Sequence, residues 1–161
     1  MHPWEIAGHG KAPFRCIGVE RRVGPIDLGN GMSCGAPGQP MGTCDVCGQG
    51  IADCYLIRSA DRKQFIVGCD CVRKTLEEYE DRTLDREVRR YRLDLEHAKT
   101  DARIAAARER LPSVWGTLAA QPHPYDVQRE RGLTMADFCT WMLAHAGRAG
   151  KVKAARIIEG A

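Results

Sequence analysis

Aromatic residues are scarce in this chain, at 6% of 161 residues. A small core with few large rings buries little area per residue, which favours a cross-link of some kind. Long apolar runs are missing as well. No segment approaches the ~20 consecutive apolar residues that a membrane-spanning helix requires. The opening Met1-His-Pro-Trp-Glu-Ile lacks the basic flank and apolar stretch of a secretory signal. A cytosolic (cytoplasmic) location is therefore expected, and with it reduced cysteines. A strong excess of one charge is also lacking. The formal net charge of +3 permits nucleic-acid binding without demanding it. No H-E-x-x-H, no His-x-Glu of the deaminase type and no Ser/His/Asp or Cys/His arrangement stands out. These absences argue against the familiar zinc hydrolases and nucleophilic enzymes, and no internal repeat points to a solenoid.

Cysteine is what the chain has in quantity. Eight are present, four of them in two tight pairs, Cys44-Asp-Val-Cys47-Gly and Gly68-Cys69-Asp-Cys71. Zinc takes four ligands in a tetrahedron, and thiolates suit it. In a reducing compartment such spacing reads as a metal site rather than as disulfides. Gly48 permits the tight turn after the first pair. Cys69 and Cys71 precede a helix whose N-terminal dipole favours thiolate, and Arg73 and Lys74 offset part of the negative charge. Free core cysteines are the plain alternative, but unrelated ones rarely fall in two close pairs around a hairpin. The expectation is one structural Zn2+ held by Cys44, Cys47, Cys69 and Cys71. Only Asp70 separates the second pair, so Cys54, Cys34 and His9 stay open as sources of the fourth ligand. Four sulfurs exclude an exchangeable water, which makes the metal a staple rather than a catalyst. A dithiol redox role fails for want of a thioredoxin-like βαβ pattern.

Patterning supplies the frame. Phe14 to Val23 reads as a strand, and residues 24–43, rich in Gly and Pro, read as a loop. Asp53 to Arg58 and Gln64 to Gly68 read as two strands joined by a turn. From Val72 to Leu111 there is no Gly or Pro, so a long helix is expected, with a bend or break near Asp81-Arg-Thr83 where its apolar stripe slips. Val88, Tyr91, Leu95, Ala98, Ala102 and Ala105 then alternate by three and four, the pattern of a coiled-coil seam that needs a partner. That partner is the chain's own C-terminal region, a second copy in a homodimer, or another protein. Pro112 is expected to end the helix. Gln121-Pro-His-Pro124 reads as a linker. Thr134-Met-Ala-Asp137 resembles a capping box opening a helix that buries Met135, Phe138, Cys139 and Met142. A short basic helix follows Gly150. The fold class is α+β: a zinc-stapled β-hairpin head over 1–80, a long helix over 72–111 and a small helical C-terminal module over 112–161.

The order knuckle, hairpin, helix-borne ligands resembles a treble-clef or zinc-ribbon-like finger over about residues 42–80. Over a wider span, Gly8-His-Gly-Lys-Ala-Pro-Phe14, the knuckle, Phe65-Ile-Val-Gly-Cys-Asp-Cys-Val72 and Gly147-Arg-Ala-Gly-Lys151-Val-Lys-Ala-Ala resemble small zinc-knuckle proteins of phages and plasmids. That resemblance implies an accessory protein of a mobile element. The expected function is a non-enzymatic zinc protein that binds nucleic acid or a nucleoprotein complex, through the finger and the basic cluster Arg148, Lys151, Lys153 and Arg156. A solvated basic surface is the plain account of that cluster. The alternative function is an inhibitor or adaptor of a host nucleic-acid or defence machine, docking through Val88, Tyr91 and Leu95 on the long helix. Trp4, Trp115 and Trp141 read as packing residues.

Overall fold

The computed structural model describes residues 1–161. The chain is α+β and divides into two compact units, Met1–Leu95 and Glu96–Ala161, with the boundary inside a long helix. No helix is long and apolar enough to cross a membrane.

The first unit holds α1 (Pro3–Ile6), β1 (Arg15–Arg21), β2 (Ile26–Gly29), β3 (Met32–Cys34), β4 (Gly42–Thr43), β5 (Gly50–Ile51), β6 (Asp53–Arg58), β7 (Gln64–Val67), α2 (Cys69–Glu78) and the start of α3 (Arg82–Ala119). β6 and β7 form an antiparallel hairpin with Tyr55 opposite Val67 and Ile57 opposite Phe65. β1 pairs with the other edge of β6, giving the order β1-β6-β7. Strand alternation sends Tyr55, Ile57, Phe65 and Val67 to one face, where they join Trp4, Phe14, Val72, Leu84 and Val88 in the core. The scarce rings are concentrated here and meet edge-on: Phe65 lies 5.3 Å from Trp4 at 82° and 5.9 Å from Phe14 at 89°. Arg15 and the backbone N–H of Cys16, both on β1, donate to the Glu87 carboxylate of α3.

Residues 24–43 are not simply a loop. They contain the β2–β3 hairpin, turning on Asn30-Gly31 with φ of 53° and 75°, the left-handed pair of a tight hairpin turn. Every residue of these two strands is exposed, so no hydrophobic alternation marked them. The expected helix break is present. α2 stops at Glu78, and the Asp81 carboxylate accepts from the N–H groups of Thr83 (3.0 Å) and Leu84 (2.9 Å) to cap α3.

The second unit consists of the rest of α3 with α4 (Asp126–Glu130), α5 (Met135–His145) and α6 (Arg148–Gly160). Pro112 does not end α3, which runs on to Ala119. Pro112 and Arg108, whose carbonyl loses its donor, are both exposed, a setting in which solvent can take up the missing bond and the helix can continue. Leu118, fully buried, then joins Ile104, Ala107, Phe138, Cys139, Leu143 and Ile158 in this unit's core. The capping box at Thr134 and Asp137 is formed. α5 buries Leu143, while Met135 and Met142 are only partly covered.

Candidate metal centre

β4 and β5 are a two-stranded stem whose connection is the Cys44–Gly48 knuckle. The Cys44 N–H donates to the Gln49 carbonyl (2.9 Å) and the Gly48 N–H to the Cys44 carbonyl (2.8 Å). Gly48 takes φ of 74°, a conformation that costs a side-chain-bearing residue energy. Two bonds lock this loop to β7: the Asp45 N–H donates to the Ile66 carbonyl (2.8 Å), and the Asp45 carboxylate accepts from the Ile66 N–H (2.6 Å). β7 leads through Gly68 into α2, whose third residue is Cys71. The sulfurs of Cys44, Cys47 and Cys71 thereby lie within 4.8 Å of one another, a group that could hold a metal ion.

The electrostatics of the trio are uneven. Burial alone would push the Cys44 thiol up, but the backbone N–H groups of Gly68, Cys47 and Val46 outweigh it and lower the pKa. The Gly68 N–H stands 3.4 Å from the Cys44 sulfur. Burial, reinforced by the neighbouring Cys47 and Cys44 sulfurs, pushes Cys71 up to about 12. One thiolate is thus stabilised by the knuckle, and the proton is held on Cys71 beside it; a cation between the sulfurs would favour the thiolate form of all three. These N–H donors were not singled out from the sequence. The signal for them is the Cys-x-x-Cys-Gly turn itself, which aims successive amides inward.

Cys69, expected as the fourth ligand, is not brought into this group. It is the first residue of α2 and is exposed. Two residues on a helix differ by roughly 200° in direction, which turns Cys69 away from the side of α2 that carries Cys71. None of the other candidates replaces it. Cys54 is fully buried and its pKa is raised by that burial. Cys34 is exposed on β3. His9 stacks on Phe65 at 4.7 Å and 16°. No His or carboxylate joins the trio.

No protein-family model, curated protein or solved structure matches the chain.

The other sequence-predicted residues are dispersed. Val88 is 9% exposed and belongs to the first unit's core, with Tyr91 packed partly against it. The expected exposed seam is therefore used within the chain, and Leu95 alone of the three stays outside that core as a half-buried residue. Ala98, Ala102 and Ala105 face solvent. The buried stripe lies one residue away, on Ile104 and Ala107. On α6, Arg148 is held by both carboxylate oxygens of Asp101 at 2.8 Å. Lys153 lies 5.5 Å over the Phe138 ring. Lys151 is half-buried, and Lys153 and Arg156 are exposed.

Proposed function

We propose that this chain is a non-enzymatic zinc-binding protein that binds nucleic acid, with the metal as a staple in the first unit and the phosphate-contacting surface on the second. The sulfur trio of Cys44, Cys47 and Cys71 is the observation that carries the metal half of this reading. An all-cysteine group favours zinc over the hard cations, which prefer oxygen. The fourth ligand is then a nitrogen or oxygen from outside the trio. Three thiolates already exceed the ion's two positive charges, and no acid or base stands in the group, so a staple fits the site better than a catalyst. The sequence of knuckle, hairpin and helix supports a treble-clef-like arrangement, and the resemblance to zinc-knuckle proteins of phages and plasmids supports an accessory role on a mobile element.

Charge distribution carries the nucleic-acid half. Residues 1–95 have as many Lys and Arg as Asp and Glu, so the whole net charge of +3 lies in residues 96–161. Arg148 is neutralised by Asp101, which leaves Lys151, Lys153 and Arg156 as the phosphate contacts. Docking on a protein partner through the long helix loses its main support, because Val88 and Tyr91 pack in the first unit. Fluorescence anisotropy with labelled oligonucleotides, repeated over a salt series, tests the reading. Affinity should fall steeply with salt, and alanine at Lys151, Lys153 and Arg156 should flatten the slope by roughly 0.7–0.9 per lost phosphate contact. Absence of binding, or a salt-independent affinity, would sink it.

A further inference from the structure

Gln121-Pro-His-Pro124, expected to be a linker, and the residues that follow it up to α5 build one wall of a cleft. It has a volume of about 390 Å³ and is lined chiefly by His123, Tyr125, Gln128, Leu133, Phe138 and Trp141. That volume is at the lower end of small-molecule sites. The wall is fixed in place. The Met135 N–H donates to the Gln121 carbonyl (3.0 Å), Pro122 bridges Thr134, and the Arg129 guanidinium donates to the His123 carbonyl (3.2 Å). His123 Nδ1 accepts from the Tyr125 N–H (3.2 Å), which fixes the ring against the wall. Phe138, almost fully buried, forms the floor, with Tyr125 at 5.9 Å and His123 at 5.4 Å, both edge-on.

Two rings of this cleft remain in solvent: Tyr125 and Trp141 are each 58% exposed. Trp141 was expected to pack and does not. The one carboxylate in the lining, Asp137, is engaged by the Thr134 N–H (2.8 Å) and hydroxyl (2.7 Å). One cation flanks the cleft, Lys153 over the Phe138 ring; Arg129, behind His123, is paired with Asp126 at 3.2 Å. Exposed aromatic faces beside positive charge match a flat ring that carries an anion. We propose that this cleft takes one unpaired base of a single-stranded nucleic acid, stacked on Trp141 or Tyr125, with an adjoining phosphate near Lys153. The proposal rests on the nucleic-acid reading above and adds to it a preference for single strands, because a duplex keeps its bases stacked on one another.

The test measures binding of the full chain to a labelled mixed-sequence oligonucleotide, single-stranded and as a duplex. The wild type should favour the single strand. Trp141→Ala should weaken that binding about tenfold or more, as one lost stack would, without changing the salt slope. Trp141→Phe should restore most of it. Tyr125→Ala is a second probe of the same cleft, and circular dichroism checks that each variant is folded. If both alanine variants bind the single strand as tightly as the wild type, the cleft is overturned while salt-sensitive binding still upholds the broader reading. Equal or tighter binding of the duplex also overturns the cleft. No binding to either oligonucleotide overturns both readings.

Discussion

Replacing Cys71 and Cys69 by serine, one at a time, should have sharply different effects on zinc affinity. The sulfurs of Cys44, Cys47 and Cys71 lie within 4.8 Å of one another. Zn–S bonds of about 2.3 Å in a tetrahedron place sulfurs about 3.8 Å apart. The trio therefore needs to contract by no more than about 1 Å. Cys69 leaves α2 roughly 200° away from Cys71, and bringing it in would require unwinding the first turn. Structural zinc sites yield about 10–16 kcal/mol in total from four ligands, or about 3 kcal/mol per ligand. Cys71→Ser should thus weaken zinc binding by about 100-fold or more, and Cys69→Ser by less than about threefold. Competition against a chromogenic chelator at fixed pH reads both. Equal losses for the two variants would refute the three-sulfur geometry.

Leu118 is fully buried in the second unit, so Leu118→Ala should cost about 2–5 kcal/mol in denaturant unfolding; a cost near zero would mean that α3 does not persist past Pro112. Val88→Asp should destabilise the first unit by about 3 kcal/mol or more, since it buries an unpaired charge, whereas a solvent-facing seam residue would tolerate it within about 0.5 kcal/mol. His2 is 1% exposed between Trp4, Phe14 and Tyr79, and its Nε2 has no hydrogen-bond partner. That burial outweighs the nearby Asp81 and Glu5 carboxylates and lowers its pKa from 6.5. The unfolded chain therefore binds this proton first, and first-unit stability should decline as pH falls below 6.5. His2→Phe should remove that part of the slope in melts followed between about pH 5 and 8; an unchanged slope would contradict the burial argument.

Features with a strong local signature were legible in the sequence. The β6–β7 hairpin showed through its alternation, and the α5 start through Thr134 and Asp137. The α2–α3 break showed in the slipped stripe around Asp81. Features decided by solvent or by geometry were less legible. The β2–β3 hairpin exposes every side chain, and only Asn30-Gly31 marked it. Pro112 looked like a terminator because its tolerance depends on an exposed carbonyl and on Leu118 beyond it. Beyond Leu95 the seam was assigned one residue out of phase, since small alanines occupy both the true and the false stripe. At the metal centre, two cysteines of one pair looked equivalent by spacing, yet the twist of a helix separates Cys69 from Cys71.

X-ray absorption at the zinc edge of the purified, zinc-loaded chain tests the central claim most directly. The account predicts one zinc per chain with three sulfurs at about 2.3 Å and one nitrogen or oxygen at about 2.0–2.1 Å. Four sulfurs around the ion, or a chain that folds normally and retains no zinc, would contradict it.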